Sequence, residues 1–274
     1  MNPDKDFKTG LLGRDLQGSL SPSLHNEGFR AAGVSGHYQP IDFTERGLAD
    51  DELSDILEQL VKQGFAGVNV THPFKTKILP LLDEISDDAA RLGAVNTVVI
   101  RDGRTAGHNT DWMGFRAQLA SLKKSADPVL VMGAGGAGRA VLYALQQAET
   151  GPVLLFDPDP AQATATLEHF ADPNMSLVSD IKSAAGQAGL LINASPVGMH
   201  GKGGLPLAAD LVRPNHRIAE VVYFPVETAF VKLAKESGCD LATGAIMCLH
   251  QAIAAFDLMT GLAADATAMT RHFD

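Results

Sequence analysis

Apolar positions along the chain alternate between short continuous runs and stretches spaced at three and four residues, the patterns of buried strands and amphipathic helices. In the N-terminal part, the short runs predict strands at Thr9–Gly13, Tyr38–Phe43, Phe65–Thr71 and Asn96–Ile100. Other stretches predict helices at Leu53–Gln63, around Lys77–Ile85 and at Trp112–Leu122. Strands that alternate with helices at this spacing indicate an α/β fold with a mostly parallel sheet.

A second alternating series begins after the polar segment Lys123–Pro128. It predicts strands at Val129–Met132, Val153–Phe156, Ser176–Val178, Leu190–Ile192 and Ile218–Tyr223. The last helix, Gly244–Thr260, is apolar on nearly every face, which predicts that it is buried between other elements.

The stretch Val129–Leu145 has the order strand, glycine turn, helix. Its glycines, Gly133, Gly135 and Gly138, have the spacing GxGxxG, which in this context is typical of a dinucleotide-binding site. The first glycine permits a tight turn, the second lets a pyrophosphate approach the backbone, and the third lets helix and strand pack closely. The helix N-terminus offers free N–H groups to the phosphates.

An acidic residue, Asp157, ends the next predicted strand about twenty residues beyond the glycines, where a ribose-binding carboxylate is expected. Pro158, Asp159 and Pro160 follow it, without a nearby Arg or Lys. A carboxylate accepts hydrogen bonds from a ribose 2′-hydroxyl and repels a 2′-phosphate, so the sequence predicts NAD rather than NADP. Asp-Pro is also a turn signal, and the alternative is that Asp157 only begins a turn.

Two serines follow the first predicted strand. Ser21 precedes Pro22, an arrangement typical of a helix N-cap, so capping alone accounts for Ser21. Ser19 has no such structural role, and two hydroxyls at a helix N-terminus suit a polyol ligand.

Three further polar residues have both a structural and a functional interpretation. Lys75 lies in the first turn of the helix predicted around Lys77–Ile85, where the helix dipole disfavours a cation. It is either a solvated lysine or a ligand group at a strand's carboxyl end. Asp111 is an N-cap, a functional acid, or both. Gln251, inside the apolar last helix, needs hydrogen-bond partners from the backbone or from a ligand.

Composition narrows the class of protein. The chain has 274 residues, 45% of them hydrophobic and 20% charged, which is enough for a large core in one or two domains. A formal net charge of −10 argues against nucleic acid or an anionic membrane as a partner. Cys239 and Cys248 have no metal-ligand spacing and the histidines are scattered, so no metal is expected. Without a visible signal peptide or membrane-length apolar run, we expect a cytoplasmic protein; its oligomeric state cannot be read.

Several motifs together resemble those of the shikimate dehydrogenase family. In chain order they are Ser19–Pro22 with His25-Asn26, Gly67–Lys75, Leu92–Thr97, Asn109–Asp111, Gly133–Gly138, and Gly244 with Gln251. Other stretches are similar to the NAD-preferring quinate/shikimate branch and the shikimate dehydrogenase-like branch: His72-Pro73, Leu79–Glu84, Gly107–Asn109, Val222-Tyr223 and Glu227-Thr228.

The resemblance implies an N-terminal α/β substrate domain, residues 1–111, completed by C-terminal helices within 244–274. It also implies a Rossmann-type NAD-binding domain over 112–243. The implied activity is hydride transfer at C3 between shikimate or quinate and the 3-dehydro acid, with Lys75 and Asp111 as the catalytic pair. The implied substrate-binding residues are Ser19, Ser21, Thr71, Asn96, Tyr223 and Gln251. The implied cofactor-binding residues are Gly133, Ala134, Gly135, Gly136, Ala137, Gly138, Asp157, Asn193, Val221 and Gly244.

Two positions depart from the family's pattern. Trp112 stands where the family often has glycine, and its bulk is expected to reshape the substrate site. The sequence Asp157–Pro160 replaces the basic cluster of the NADP-dependent members, which agrees with the prediction of NAD. The alternatives are a dehydrogenase of a related cyclitol acid such as aminoshikimate, a methylene-tetrahydrofolate dehydrogenase, which the motifs fit less well, and a nucleotide-sensing protein. The presence of both Lys75 and Asp111 argues against a sensor.

Overall fold

A computed structural model of the protein describes residues 6–148 and 150–270. The chain divides into two compact units. One comprises the residues up to 110 together with those from 249 onward, and the other comprises residues 111–248. Each unit contains a six-stranded sheet.

The first unit has a mixed sheet in the order β2-β1-β3-β5-β6-β4. Its strands are β1 (Phe7–Gly13), β2 (Gly36–Asp42), β3 (Gly67–Val70), β4 (Glu84–Ile85), β5 (Thr97–Arg101) and β6 (Arg104–His108). β1 runs parallel to β2 and β3, and β4 runs parallel to β6, whereas β5 is antiparallel to both of its neighbours. The β5–β6 hairpin turns through Asp102 and Gly103, which both have positive φ (51° and 77°) as a tight hairpin requires.

Helices α1 (Ser21–Ala32), α2 (Leu53–Lys62) and α3 (Asp87–Leu92) connect these strands. The prediction of a helix around Lys77–Ile85 is wrong. The segment consists of turns, a short 3-10 helix at Leu79–Leu81, and β4, which pairs with Ala106 and Gly107 of β6. Pro80 lacks the N–H that an α-helix would need at this position. Glu84 and Ile85 instead form backbone hydrogen bonds with β6.

The core of the first unit consists of two apolar clusters. In one, the apolar face of α2 packs with the strands, and the rings of Phe43 and Phe74 lie 4.5 Å apart. The other joins Phe29, Tyr38 and Phe256. His25, on α1, is fully buried and stacks on Tyr38 at a ring distance of 4.2 Å.

The second unit has an all-parallel sheet in the order β12-β11-β10-β7-β8-β9. Its strands are β7 (Val129–Met132), β8 (Val153–Phe156), β9 (Met175–Leu177), β10 (Leu190–Asn193), β11 (Arg217–Glu220) and β12 (Asp240–Ala242). Its helices are α4 (Asp111–Ala120), α5 (Gly136–Gln147), α6 (Pro160–Phe170), α7 (Ile181–Gln187) and α8 (Ala229–Glu236). The strand order reverses between β7 and β10, which is the position where doubly wound sheets bind ligands.

The last two helices of the described residues are α9 (Gly244–Thr260) and α10 (Ala266–Thr270). The bounds of α9 agree with those predicted from its apolar pattern. β11 is shorter than predicted and ends at Glu220, so Tyr223 lies beyond the strand. Among the described residues, no helix combines the length and the apolar composition needed to cross a lipid bilayer.

Candidate functional site

The glycine turn between β7 and α5 provides a cradle for a phosphate group. Gly133 has a φ of +113°, and a Cβ on Gly138 would lie only 2.0 Å from the Gly133 carbonyl oxygen, so both positions require glycine. In contrast, a Cβ on Gly136 would meet no atom within 4 Å. Helix α5 begins there without a side-chain cap and without an acidic residue in its first turn. The backbone therefore offers N–H donors and a positive dipole end, which suits a pyrophosphate.

Asp157 follows β8 and lies beside this turn. One carboxylate oxygen, Oδ2, accepts the Ala134 N–H at 2.7 Å, and the other accepts the Asp159 N–H at 2.9 Å. Asp159 caps α6 by accepting the N–H groups of Ala161 and Gln162. Both carboxylates are thus held in place by backbone donors, and Asp157 is part of a turn as well as a neighbour of the glycine loop.

A buried carboxyl, Glu220, joins the ends of β10 and β11. Its Oε1 accepts Asn193 Nδ2 at 2.9 Å and the Val222 N–H at 3.0 Å, while its Oε2 accepts the Thr228 hydroxyl at 2.8 Å. Burial raises the pKa of Glu220 to about 7, although the hydrogen bonds from Val222, Asn193 and Thr228 act in the opposite direction. Glu220 therefore fixes Asn193, a predicted cofactor-binding residue, to the segment that leads to Tyr223.

Gly244 and Val221 lie against each other. A Cβ on Gly244 would come within 2.4 Å of the Val222 carbonyl oxygen and 2.6 Å of the Val221 carbonyl oxygen. The start of α9 can approach the end of β11 this closely only because residue 244 is glycine. Gln118 of α4 donates to the carbonyl oxygens of Glu220 and Ala242 at 2.7 and 3.0 Å, and so holds the same strand ends from another side.

Trp112 belongs to the packing of the second unit. It is largely buried, its ring meets that of Tyr143 edge-on at 5.2 Å, and the Arg116 guanidinium lies 5.1 Å above it. The bulk of Trp112 therefore fills space between α4 and α5, and this contact gives no support to the expectation that it reshapes the substrate site.

The two serines near α1 have structural roles that differ from those predicted. The N-cap of α1 is Leu20, and Ser21 is its first helical residue, so Ser21 is not the cap. The Ser19 hydroxyl instead accepts the Ser21 N–H at 3.3 Å. The Ser19 N–H bonds to the Leu16 carbonyl in a turn just before the helix, and the helix begins one residue nearer the N-terminus than predicted.

Asp42, at the end of β2, holds the loop that carries Ser19. Its carboxylate accepts the N–H groups of Asp15, Leu16 and Thr44 at 2.8 to 3.1 Å. Burial acts to raise the pKa of Asp42, but these backbone hydrogen bonds outweigh it and the pKa is lowered. Sequence reasoning missed this residue; its signal is a carboxylate between two apolar residues, Ile41 and Phe43, at the end of a predicted strand.

Two predicted substrate residues, Thr71 and Asn96, and the predicted catalytic Lys75 lie on neighbouring segments at one edge of the first sheet. The Thr71 N–H bonds to the Leu12 carbonyl of β1, and the Lys75 carbonyl accepts the Val95 N–H at 2.8 Å. This second bond places Lys75 next to the segment that carries Asn96. No α-helix begins at Lys75, which lies in a turn, so the helix-dipole argument for this lysine does not apply.

Asn96 is buried and tied to the residue before Asp111. Its Oδ1 accepts the Thr110 N–H at 2.7 Å, and its Nδ2 donates to the Thr110 hydroxyl at 3.0 Å. Asp111 is the first residue of α4 and belongs to the second unit, so it lies one position inside the N-cap. Gln251, in α9, is partly buried.

Sequence reasoning assigned no role to Tyr38, Asn69 and Thr97, which form a buried hydrogen-bonded group next to Asn96. The available signal was Asn69 itself, a polar residue between two valines of a buried strand. No three His, Cys, Asp or Glu side chains within residues 6–148 and 150–270 are grouped as metal ligands would be.

The parallel sheet, its reversal point and the glycine turn together define the second unit as a Rossmann-type dinucleotide-binding fold. A family model described as the shikimate dehydrogenase substrate binding domain matches residues 11–98. A shikimate dehydrogenase (NADP(+)) of Pseudarthrobacter chlorophenolicus is 42% identical over 98% of this chain and 94% of its own length. A quinate/shikimate dehydrogenase (NAD(+)) of Corynebacterium efficiens is 38% identical over 100% of this chain and 99% of its own.

Among solved structures, the quinate dehydrogenase from Corynebacterium glutamicum in complex with NAD matches with a TM-score of 0.92. It is 36% identical, and the match covers 98% of each chain. The chain belongs to the shikimate/quinate dehydrogenase family, and it is an oxidoreductase that uses a nicotinamide dinucleotide. The relatives divide between NADP and NAD forms, so family membership alone does not specify the dinucleotide or the acid.

Proposed function

We propose that the protein is an NAD-dependent dehydrogenase that interconverts shikimate, quinate or both with the corresponding 3-dehydro acid. The observation that carries the choice of NAD is the pair of fixed carboxylates after β8. Asp157 and Asp159 are held by backbone N–H donors, so moving either carboxylate away from a 2′-phosphate would break these hydrogen bonds. At a separation of a few ångströms, a phosphate and a carboxylate repel each other by several kcal/mol at an effective dielectric of about 20.

The proposal for the substrate rests on the polar edge of the first unit together with family membership. Ser19, Thr71, Lys75 and Asn96 follow or precede strands at that edge and supply hydroxyl, ammonium and amide groups. A small acid with several hydroxyls matches this set of donors and acceptors. We include Ser21, Tyr223 and Gln251 among the substrate-binding residues on the basis of the family resemblance.

The proposed mechanism assigns proton transfer to the chain's own residues. A bound nicotinamide supplies the hydride acceptor for the C3 carbinol. Lys75 shuttles the hydroxyl proton and stabilises the negative charge that develops on the oxygen. By the family resemblance, Asp111 is the partner of Lys75 in the reaction, and it accepts a hydrogen bond from the same hydroxyl. General acid–base assistance of this kind contributes about 10²–10⁴-fold to the rate.

The proposed domain assignment follows from the same roles. We propose that residues 1–111, completed by helices within 244–274, bind the substrate. Residues 112–243 would bind the dinucleotide through Gly133–Gly138, Asp157, Asn193 and Val221, together with Gly244 at the start of α9. The residues present fit such a ligand, because Gly136 leaves space above an uncapped helix N-terminus.

The test is the absorbance of the reduced nicotinamide with shikimate and with quinate, each supplied with NAD and with NADP. Turnover of either acid with NAD, and at least tenfold lower kcat/KM with NADP, is the expected result. Higher kcat/KM with NADP would reject the reading of Asp157. If none of the four mixtures turns over while NAD still binds by fluorescence titration, the proposed substrates are wrong.

A further inference from the structure

A chain of hydrogen bonds runs through the buried part of the first unit and ends on the Asn96 side chain. The Tyr38 hydroxyl donates to Asn69 Oδ1 at 2.9 Å. Asn69 Nδ2 donates to the Thr97 hydroxyl at 3.0 Å, and this hydroxyl donates to Asn96 Oδ1 at 3.0 Å. All four residues are buried, with at most 5% of any of them exposed.

The register of the sheet creates this chain. Asn69 of β3 and Thr97 of β5 are directly opposite each other in an antiparallel pair, where facing side chains come within contact distance. Tyr38 of β2 reaches Asn69 from the far side of β1, which lies between β2 and β3 in the sheet. Asn96 immediately precedes β5, so the hydroxyl of its neighbour Thr97 can reach its side chain.

Two backbone groups fix the orientation of the two side-chain amides in the chain. The Asn96 carbonyl can only accept, and it lies 3.2 Å from the Asn69 side chain, so Asn69 must present its nitrogen there. The Thr97 hydroxyl then accepts from Asn69 and has its own hydrogen available for Asn96. The Thr110 N–H can only donate, and it lies 2.7 Å from the Asn96 side chain, so Asn96 must present its oxygen there.

These constraints agree, and they select one of the two orientations of the Asn96 carboxamide. Its oxygen receives hydrogen bonds from Thr110 N–H and from the Thr97 hydroxyl inside the unit. The flipped amide would place Nδ2 against a backbone N–H and leave buried donors facing each other, which costs about 1–3 kcal/mol for each unsatisfied group. The group that Asn96 presents to a ligand is therefore its nitrogen, a donor with two hydrogens that gives one of them to the Thr110 hydroxyl at 3.0 Å.

We propose that Tyr38, Asn69 and Thr97 are positioning residues that hold Asn96 as a hydrogen-bond donor to the substrate. This inference rests on the proposed function, in which Asn96 binds the acid. It also specifies the substrate group: Asn96 contacts an acceptor oxygen, from a carboxylate or from a hydroxyl used through its lone pair. None of the three positioning residues needs to touch the substrate.

The test is Thr97→Val, which keeps the shape of the side chain and removes the hydroxyl that links Asn69 to Asn96. We expect the KM for the acid to rise about three- to tenfold, the net worth of one hydrogen bond, with kcat and the KM for NAD little changed. Thr97→Ser keeps the hydroxyl and should restore the KM. Thr9→Val is the matched control, because Thr9 is an equally buried strand threonine whose hydroxyl donates to the His37 carbonyl rather than to a side chain.

Side-chain amide spectra of ¹⁵N-asparagine-labelled protein provide a readout that does not depend on turnover. In the unliganded wild type and in Thr97→Ser, the Asn96 NH₂ pair should be sharp and protected from solvent exchange, and in Thr97→Val it should broaden and exchange faster. Assignment comes from the pair that is lost in Asn96→Ser.

The outcomes separate the two proposals. If the wild type turns over but Thr97→Val and Thr9→Val give the same KM, the positioning role is overturned while the proposed function stands. An Asn96 amide signal that is equally sharp in Thr97→Val overturns it as well, whether or not either acid is oxidised. If the wild type oxidises neither acid but the amide signal responds to Thr97→Val as expected, the proposed function fails and the orienting network is supported.

Discussion

Replacing Glu220 with glutamine is expected to remove a pH dependence of stability that this buried carboxyl imposes on the second unit. Its pKa in the folded protein is about 7, against 4.5 for an ordinary glutamate, chiefly because of burial. Between these two values the folded state retains a proton that the unfolded state has released. The contribution of Glu220 is therefore fully present below pH 4.5 and is lost as the pH rises through 7. A difference of about 2.5 pKa units corresponds to a loss of about 3 kcal/mol.

Glutamine can occupy the same site as the protonated acid. Its oxygen can accept from Asn193 Nδ2 and the Val222 N–H, as Glu220 Oε1 does. Its NH₂ group can donate to the Thr228 hydroxyl, which already accepts the Val231 N–H at 3.1 Å and can accept a second donor. The substitution therefore removes the titration and keeps the contacts with Asn193, Val222 and Thr228, with the amide donating to the Thr228 hydroxyl as the protonated acid does.

The assay is urea unfolding from pH 4.5 to 8, followed by tryptophan fluorescence. Trp112 is the single tryptophan of the chain and lies in the same unit as Glu220. The unfolding free energy of the wild type should fall relative to Glu220→Gln by about 3 kcal/mol across this range. Glu236→Gln, which changes an exposed carboxyl on α8 of the same unit, is the control and should follow the wild type. A constant difference between the wild type and Glu220→Gln at every pH would refute the reasoning.

The choice of a probe within one unit matters because His25 acts in the opposite direction in the other unit. Burial lowers the pKa of His25 from 6.5 to about 3, with the Asn69 side chain opposing the shift. Its contribution is fully present above pH 6.5 and is lost as the pH falls toward 3. Between pH 4.5 and 6.5 the two slopes have opposite signs, so a signal averaged over the whole chain would show little change.

The remaining predictions concern catalysis and the dinucleotide. Lys75→Ala should lower turnover about 10²–10⁴-fold, while fluorescence titration shows unchanged dinucleotide binding. The control is Lys77→Ala, which changes an exposed lysine nearby and should leave turnover intact. Near-normal turnover of Lys75→Ala would remove Lys75 from the mechanism. Asp157→Ala should weaken NAD about 10- to 100-fold and narrow the preference over NADP, whereas an unchanged ratio of the two kcat/KM values would contradict the assigned role. Gly138→Ala should lower the midpoint of thermal unfolding sharply, because its Cβ would overlap a carbonyl oxygen. Gly136→Ala should keep the wild-type midpoint and weaken only dinucleotide binding. Equal unfolding midpoints for the two variants would argue against the phosphate cradle.

Patterns that depend on neighbours in the chain were readable from the sequence. The strand, glycine turn and helix of residues 129–147 depend on local spacing, and the structure has them as predicted. The family resemblance and the mixed α/β architecture followed from the same kind of signal. In contrast, the segment 77–85 was predicted as a helix because its apolar spacing allows one. Its real structure is decided by pairing with β6, about twenty residues further along the chain.

In the candidate site, too, single contacts that depend on residues outside a local pattern could not be predicted from the sequence. Ser21 matched the N-cap pattern, but the position of the cap depends on a turn at Leu16–Ser19 that no capping rule includes. Trp112 was expected to reshape the substrate site because the resemblance places it where the family often has glycine. The residue it meets, Tyr143, lies on another helix of the second unit.

Polar residues at the ends of buried strands are the signal that would have revealed more of the site. Asn69, Asn193 and Glu220 each lie in a short strand whose other residues are almost all apolar, and each is at most 5% exposed. Burying such a group costs free energy unless its hydrogen bonds are supplied, so each requires several partners fixed in orientation. An amide or a loop that binds a ligand also needs hydrogen-bond partners that hold it in one orientation. We therefore expect that, in this fold, a polar residue inside an apolar strand near the carboxyl edge of a sheet marks a group that orients the site.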